Sequence, residues 1–147
     1  MTETVITPDQ NEPRRREQYI PPLLVFPLVA YNLIVFTLFR GNPVNWGAGM
    51  FAIPMPSGMP WAITAGDLLL VVGIILLFIE VLKSTNTAHI PLIEHVLSLA
   101  VLVLFLVEFL FVGAAASSVF FLLTVMSLID VVAGFTVSFA RRRRRRG

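Results

Sequence analysis

The chain has 147 residues, of which 56% are apolar and only 14% are charged, and its mean hydropathy is +0.83. A soluble domain of this length needs a polar surface that so few charged side chains cannot supply, and a disordered chain would be far less apolar. The absence of cysteine excludes a disulfide-stabilised secreted domain and thiolate metal sites. The composition therefore predicts an integral membrane protein built from helices.

The first 19 residues are polar, mix acids with bases and contain Pro8 and Pro13. The apolar stretch that follows is long enough to be a span, and no small-residue cleavage site comes after it. We therefore predict a disordered cytoplasmic tail over residues 1–19 instead of a signal peptide.

Four apolar windows follow, each of about 18–23 residues. Because an α-helix rises about 1.5 Å per residue, each window is long enough to cross a hydrocarbon layer of roughly 30 Å. The sequence thus predicts an all-α, four-transmembrane-helix bundle over residues 20–140. Its spans are expected at about 21–39, 65–82, 91–112 and 118–140.

The basic residues give this bundle an orientation. All but one of the 11 Lys and Arg residues precede span one, lie between spans two and three, or follow span four, and Arg40 is the exception. Basic loops face the cytoplasm, so we predict that both termini are cytoplasmic (N-in/C-in). A compact chain with basic ends suits a bacterial inner (plasma) membrane.

The tail 141–147 is a run of arginines. It predicts a stop-transfer anchor and a site for anionic lipid headgroups. No folded module or aromatic platform accompanies the run, so we expect no nucleic-acid binding. The headgroup-binding residues are Arg141, Arg142, Arg143, Arg144, Arg145 and Arg146.

The outward loop, residues 41–64, is apolar and rich in glycine and proline, which exclude a continuous helix. We expect it to lie on the membrane or to cover the end of the bundle, with its tryptophans at the headgroup boundary. Two alternatives remain open. The loop is a surface for a partner protein, or Met50, Met55 and Met59 act as thioether ligands for Cu(I).

Three acids have positions that helix chemistry explains. Asp67 follows Thr64 at the spacing of a capping box and begins span two. Glu80 precedes Lys83 by three residues, a distance that permits pairing on one helix face. Glu94 lies in the first turn of span three, where the helix dipole favours a negative charge.

Glu108 and Asp130 lack such an explanation. Glu108 lies near the outer end of span three, at a helix C-terminus that disfavours an acid. Asp130 lies about 15 Å deep, near the bilayer midplane, and no basic side chain of its own helix is within two turns. Asp130 must therefore be protonated, hydrated or paired with another helix or another chain.

Helical spacing predicts two inward faces. On span three the face contains Glu94, Ser98 and Glu108, and His95 is placed to pair with an acid. On span four, Ser127, Asp130, Gly134 and Ser138 form a small polar stripe that we interpret as a helix-packing seam. The intramembrane acids are read either as interhelical contacts and docking points for a basic partner span, or as a proton or cation path.

No phosphate-binding loop, nucleophile motif or metal signature occurs, so we expect no enzyme, no cofactor and no metal site. The leading hypothesis is a non-enzymatic accessory or scaffold subunit, which packs against other transmembrane helices in a homo-oligomer or with a partner membrane protein. The alternative is a small proton or cation channel, or a proton-coupled transporter, that uses Asp130 and Glu108.

Overall fold

The computed structural model of the protein describes residues 21–86 and 92–144. The predicted tail 1–19, Arg145, Arg146 and the side chains of Arg141, Arg142, Arg143 and Arg144 lie outside the described residues. The elements in chain order are α1 (Val25–Thr37), β1 (Gly49–Pro54), β2 (Pro60–Thr64), α2 (Ala65–Asn86), α3 (Leu92–Phe111) and α4 (Ser118–Arg144).

The chain is mostly helical, and the predicted number of four α-helices fits the described residues. Three helices are long and apolar enough to cross a membrane, with spans at Ala65–Thr85, Ile93–Phe111 and Ser118–Ala140. Large apolar side chains cover the outward faces of these helices, as a surface surrounded by lipid requires. The orientation of the spans stays a prediction.

Helix α1 is shorter than the first predicted span. Its 13 residues rise about 20 Å, less than the roughly 30 Å of the hydrocarbon layer. Pro21 and Pro22 have no backbone N–H to donate, so they disfavour a helix that begins earlier in the chain. At the other end Arg40 and Gly41 adopt positive φ angles, and the Gly41 N–H donates to the Val35 carbonyl at 2.8 Å. This left-handed pair ends the helix and turns the chain.

The outward loop contains a β-hairpin that the all-α prediction did not include. β1 and β2 pair antiparallel, with Phe51 opposite Ile63 and Ile53 opposite Trp61. A tight turn at the tip places Gly58 at a φ of +83° and joins its N–H to the Met55 carbonyl at 2.9 Å. The prolines that exclude a helix stand at the tip ends of the strands, where a missing N–H is tolerated.

Helix α4 is the centre of the bundle, because it packs against both α2 and α3, and α1 packs against α2 and α4. Glycines permit this close approach. A Cβ at Gly73 of α2 would lie 2.9 Å from the Leu123 side chain of α4, and one at Gly66 would lie 2.6 Å from that of Val119. The packing of α2 on α4 therefore depends on residues that have no side chain.

An aromatic cluster fills the end of the bundle nearest the hairpin. The Tyr31 ring stacks on Trp46 at 4.6 Å and meets Phe120 edge-on at 4.8 Å. The Tyr31 hydroxyl donates to the Ala114 carbonyl at 2.8 Å, which fixes the connection between α3 and α4. Trp46 belongs to the short 3-10 helix Pro43–Gly47 and is 2% exposed, so it lies in the core and not at the headgroup boundary as predicted.

Candidate functional site

We call the end with the aromatic cluster and the hairpin the hairpin end, and the opposite end, where α4 finishes in Arg144, the arginine end. A polar cluster lies between α2, α3 and α4 near the arginine end. Its side chains line a cavity of about 30 Å³, which has room for about one or two water molecules. The cluster consists of Glu80, Lys83, Ser84, Glu94, His95, Ser98 and Asp130.

Lys83 joins two of the acids. Its Nζ lies 3.9 Å from Glu80 Oε1 and 3.7 Å from Glu94 Oε2. The predicted pairing of Glu80 with Lys83 is confirmed, and the second pair links α2 to α3 across the gap between them. The Lys83 side chain is thereby shared between a neighbour on its own helix and one on the next helix.

Asp130 is 7% exposed and faces the same cavity. Its carboxylate is within hydrogen-bonding reach of Ser98 on α3, and Lys83 and His95 lie near enough to interact with it electrostatically. The partners that the sequence required of Asp130 thus come from two other helices of the same chain.

His95 forms hydrogen bonds with the small polar stripe of α4. Its Nε2 lies 3.0 Å from the Gly134 carbonyl and 2.8 Å from the Ser138 hydroxyl. A carbonyl oxygen only accepts, so Nε2 carries the proton in this arrangement. Ser127 and Asp130 of the same stripe are buried, so the stripe lies on the side of α4 that faces the bundle.

Glu80 also contacts the beginning of α1. Its Oε2 accepts a hydrogen bond of 3.1 Å from the backbone N–H of Leu23. The first N–H groups of a helix have no partner within the helix, and the helix dipole favours an anion there. Leu23 comes directly before the N-cap Leu24, so Glu80 of α2 holds the turn that leads into α1, a role that no local spacing in the sequence could indicate.

Asp67 lies apart from the polar cluster and has the predicted structural role. Its Oδ2 accepts from the Thr64 N–H at 2.9 Å and from the Thr64 hydroxyl at 2.7 Å, and its own N–H donates to the Thr64 hydroxyl at 3.1 Å. The capping box is therefore confirmed, and it fixes the point where β2 passes directly into α2.

Glu108 also lies apart, at the hairpin end of α3, beside an open groove between α1 and α3. Asn32 of α1 lines the same groove, and its side chain lies within hydrogen-bonding reach of the Glu108 carboxylate. One carboxylate oxygen, Oε1, is shielded from solvent and has no hydrogen-bond partner among the described residues. Neither ion pair of those residues includes Glu108.

An apolar stretch of α3 separates Glu108 from the polar cluster. About 15 Å of α3 lies between Ser98 and Glu108. The inward side chains of that stretch, Val101 and Phe105, are 6% and 0% exposed and pack against α4. The structure therefore brings Asp130, Glu80, Glu94 and His95 together and leaves Glu108 and Asp67 at the opposite end.

The hairpin forms a second candidate surface, outside the bundle. Its 41–64 segment contains no charged residue. Alternation along the paired strands puts Phe51, Ile53 and Trp61 on one bulky face, and they are 50%, 41% and 53% exposed. The opposite face carries the paired alanines Ala52 and Ala62 and is smooth. Of the candidate copper ligands, Met50 lies in β1 and Met55 and Met59 flank the tip, and all are exposed.

The chain matches no protein-family model, no curated protein and no solved structure. Its function is therefore argued from the placement of its own side chains.

Proposed function

We propose that this protein is a non-enzymatic accessory subunit of a membrane protein complex, in a bacterial inner membrane with both termini in the cytoplasm. The observation that carries the proposal is the bulky, uncharged hairpin face, on which Phe51, Ile53 and Trp61 are exposed while Ile63, opposite Phe51, is buried. An exposed apolar surface of this kind is typical of protein interaction sites.

The hairpin is attached rigidly to the bundle at both of its ends. Before β1, Trp46 is buried between Tyr31 and Phe39, at ring distances of 4.6 and 5.0 Å. After β2, the capping box of Thr64 and Asp67 begins α2 without a linker. A recognition element held in this way loses little conformational entropy when it binds.

The contacts inside the bundle favour a structural role for most of its titratable groups. Glu80, Glu94 and Asp130 are used in pairs and caps that join the helices, and His95 is bound to α4. Groups that hold helices together in this way provide a stable frame for the hairpin.

The test is the mass of the native complex after gentle detergent extraction. We expect the wild-type chain to migrate with a second, different protein, and the substitution of Phe51, Ile53 and Trp61 by serine to release it. The matched control, Ala52→Ser with Ala62→Ser on the smooth face, should retain the complex. A wild-type chain found without a second protein would contradict the proposal. So would strong quenching of Trp61 by brominated lipids, because the bulky face would then lie in the membrane.

The alternative function, a small proton or cation conductor or coupled transporter, has one supporting feature, the polar cavity around Asp130 and Lys83. On α3 the buried side chains between this cavity and Glu108, Val101 and Phe105, are apolar, which disfavours a proton or cation route along that helix. We therefore expect liposomes that contain the wild-type protein to show no more dye-reported proton flux than empty ones. Flux that Asp130→Asn abolishes would favour the conductor instead.

A further inference from the structure

The chemistry of the α1–α3 groove indicates what fits there. Apolar side chains form most of its walls, and Asn32, Thr37 and Glu108 are its polar groups. The groove measures about 530 Å³ and is open along its length. The residues that define it are Leu28, Asn32, Leu33, Phe36, Leu104 and Glu108.

The shape of the groove favours a helix over a small molecule. On α1 its residues recur at the spacing of one helix face over more than two turns, from Leu28 to Phe36. Small-molecule sites enclose most of the ligand surface, and this groove does not. Leu33 and Phe36 are 61% and 54% exposed, which leaves an apolar helix face without a partner in the described structure.

The charge in the groove restricts the partner further. Glu108 belongs to neither ion pair of the described residues, Asn32 lies within hydrogen-bonding reach of its carboxylate, and the nearby C-terminus of α3 disfavours its negative charge. A carboxylate in such a place is stabilised by a cation from another helix. A basic residue at the depth of the hairpin end therefore complements this carboxylate in an occupant of the groove.

The chain itself has such a residue. Arg40 is exposed, follows the end of α1 by three residues and takes part in neither ion pair of the described residues. Glu108 lies three residues before the end of α3 at Phe111, so both groups are at the hairpin end. A two-fold axis along the membrane normal keeps two copies in the same orientation. Residues at the same depth in the membrane can then contact each other across the axis.

We propose that two copies of this chain pair through their α1–α3 grooves, so that Arg40 of each copy binds Glu108 of the other. Each α1 then covers the apolar wall of the partner groove. The pairing does not depend on the hairpin, and it is tested with the purified chain alone, so its failure and that of the proposed accessory role are distinguishable.

The first experiment uses the absence of cysteine from the chain. A Leu33→Cys variant in phosphatidylcholine vesicles should form a disulfide-linked dimer on mild oxidation. The control, Ile75→Cys on the lipid-facing side of α2, has a similar exposure of 53% and should remain monomeric. Equal cross-linking at both positions would indicate random collision and would overturn the proposal.

The second experiment exchanges the charges. Arg40→Glu and Glu108→Lys should each weaken dimerisation about three- to tenfold, measured by energy transfer between labelled copies. The double variant should restore it. Glu108→Gln keeps the shape of the side chain and should also weaken the dimer. It provides the test if the lysine variant misfolds. A monomeric wild type, or single variants that dimerise normally, would overturn the proposal.

Discussion

Glu80, Asp130 and Glu108 show that one chemical group has different roles in this bundle. Glu80 receives a backbone N–H from α1 and an ion pair from Lys83. Asp130 is placed against Ser98 and near Lys83. Glu108 keeps an oxygen without a partner in the described structure. An acid in an apolar bundle is tolerated when it is paired, so the difference lies in what the neighbouring helices present to each carboxylate.

The hydrogen bond from Leu23 to Glu80 leads to a prediction about stability. Glu80→Ala leaves the Leu23 N–H without its acceptor and should lower the free energy of unfolding in detergent by about 1–3 kcal/mol. Glu80→Gln retains an acceptor oxygen and should lose less. These values are measured by reversible denaturation in mixed micelles.

Glu94→Ala is the comparison for this prediction. The Glu94 carboxylate is partly exposed and shares Lys83 at 3.7 Å, so its loss should cost less than about 1 kcal/mol. If Glu80→Ala and Glu94→Ala destabilised the protein equally, the hydrogen bond between Glu80 and the turn before α1 would not contribute.

At the scale of elements, the contacts between helices depend on where each glycine lies. Gly66 and Gly73 are placed where α2 meets α4, and Gly134 is placed under the His95 ring. A sequence can show that small residues line one helix face, but it does not show how near the opposing backbone comes. That distance decides whether a methyl group fits.

Alanine substitution should separate these glycines. At Gly66 a Cβ would lie 2.6 Å from Val119 and 3.0 Å from the Trp46 carbonyl, and we expect a loss of about 1–3 kcal/mol. At Gly134 the nearest atom is His95 Nε2 at 3.5 Å, an ordinary contact. Gly134→Ala should therefore be neutral or stabilise by up to about 1 kcal/mol through helix propensity. Thermal melts monitored by circular dichroism compare the two, and a larger loss at Gly134 would contradict the packing described.

The two tryptophans provide a test of the hairpin and its attachment. Trp46 is 2% exposed and Trp61 is 53% exposed. In Trp61→Phe the remaining fluorescence, from Trp46, should be blue-shifted and protected from acrylamide. In Trp46→Phe the signal from Trp61 should be readily quenched. Similar quenching of the two variants would show that the 3-10 helix Pro43–Gly47 does not insert into the core.

Trp46 and Trp61 should also differ in their effect on stability. Trp46→Ala removes a buried ring from the aromatic cluster and should cost about 3–5 kcal/mol. Trp61→Ala removes an exposed ring and should change the free energy of unfolding by less than about 0.5 kcal/mol. The same micelle denaturation assay measures both. Equal losses would mean that the bulky hairpin face also stabilises the bundle.

At the scale of the whole molecule, the four helices alternate in direction. The start of α1 lies at the end of α2, and Lys83 near that end pairs with the first turn of α3. The hairpin and the arginine run of α4 are therefore at opposite ends of the bundle. The excess of basic residues at the arginine end predicts that this end faces the cytoplasm.

Cysteine labelling tests this orientation, because the native chain has no cysteine. Ser57→Cys, at the exposed hairpin tip, should react with a membrane-impermeant maleimide in intact cells. Gly147→Cys, beyond the arginine run, should react only after permeabilisation. The reverse pattern would place the hairpin in the cytoplasm and would contradict the N-in/C-in prediction.

The sequence by itself determined the class of the protein and the local chemistry. Apolar runs of sufficient length predicted α2, α3 and α4, and short-range spacing predicted the Thr64–Asp67 capping box and the pair of Glu80 with Lys83. These features involve residues that are neighbours along the chain or along one helix, so periodicity and spacing are enough to reveal them.

Only the tertiary structure decided the length of α1, the β-hairpin and the different surroundings of the acids. The partners of Asp130 come from α2 and α3, the acceptor for the Leu23 N–H comes from α2, and the cover for Trp46 comes from α1. Each of these contacts joins segments that are distant in the chain. Their energies depend on how close the helices approach, which no local pattern of residues specifies.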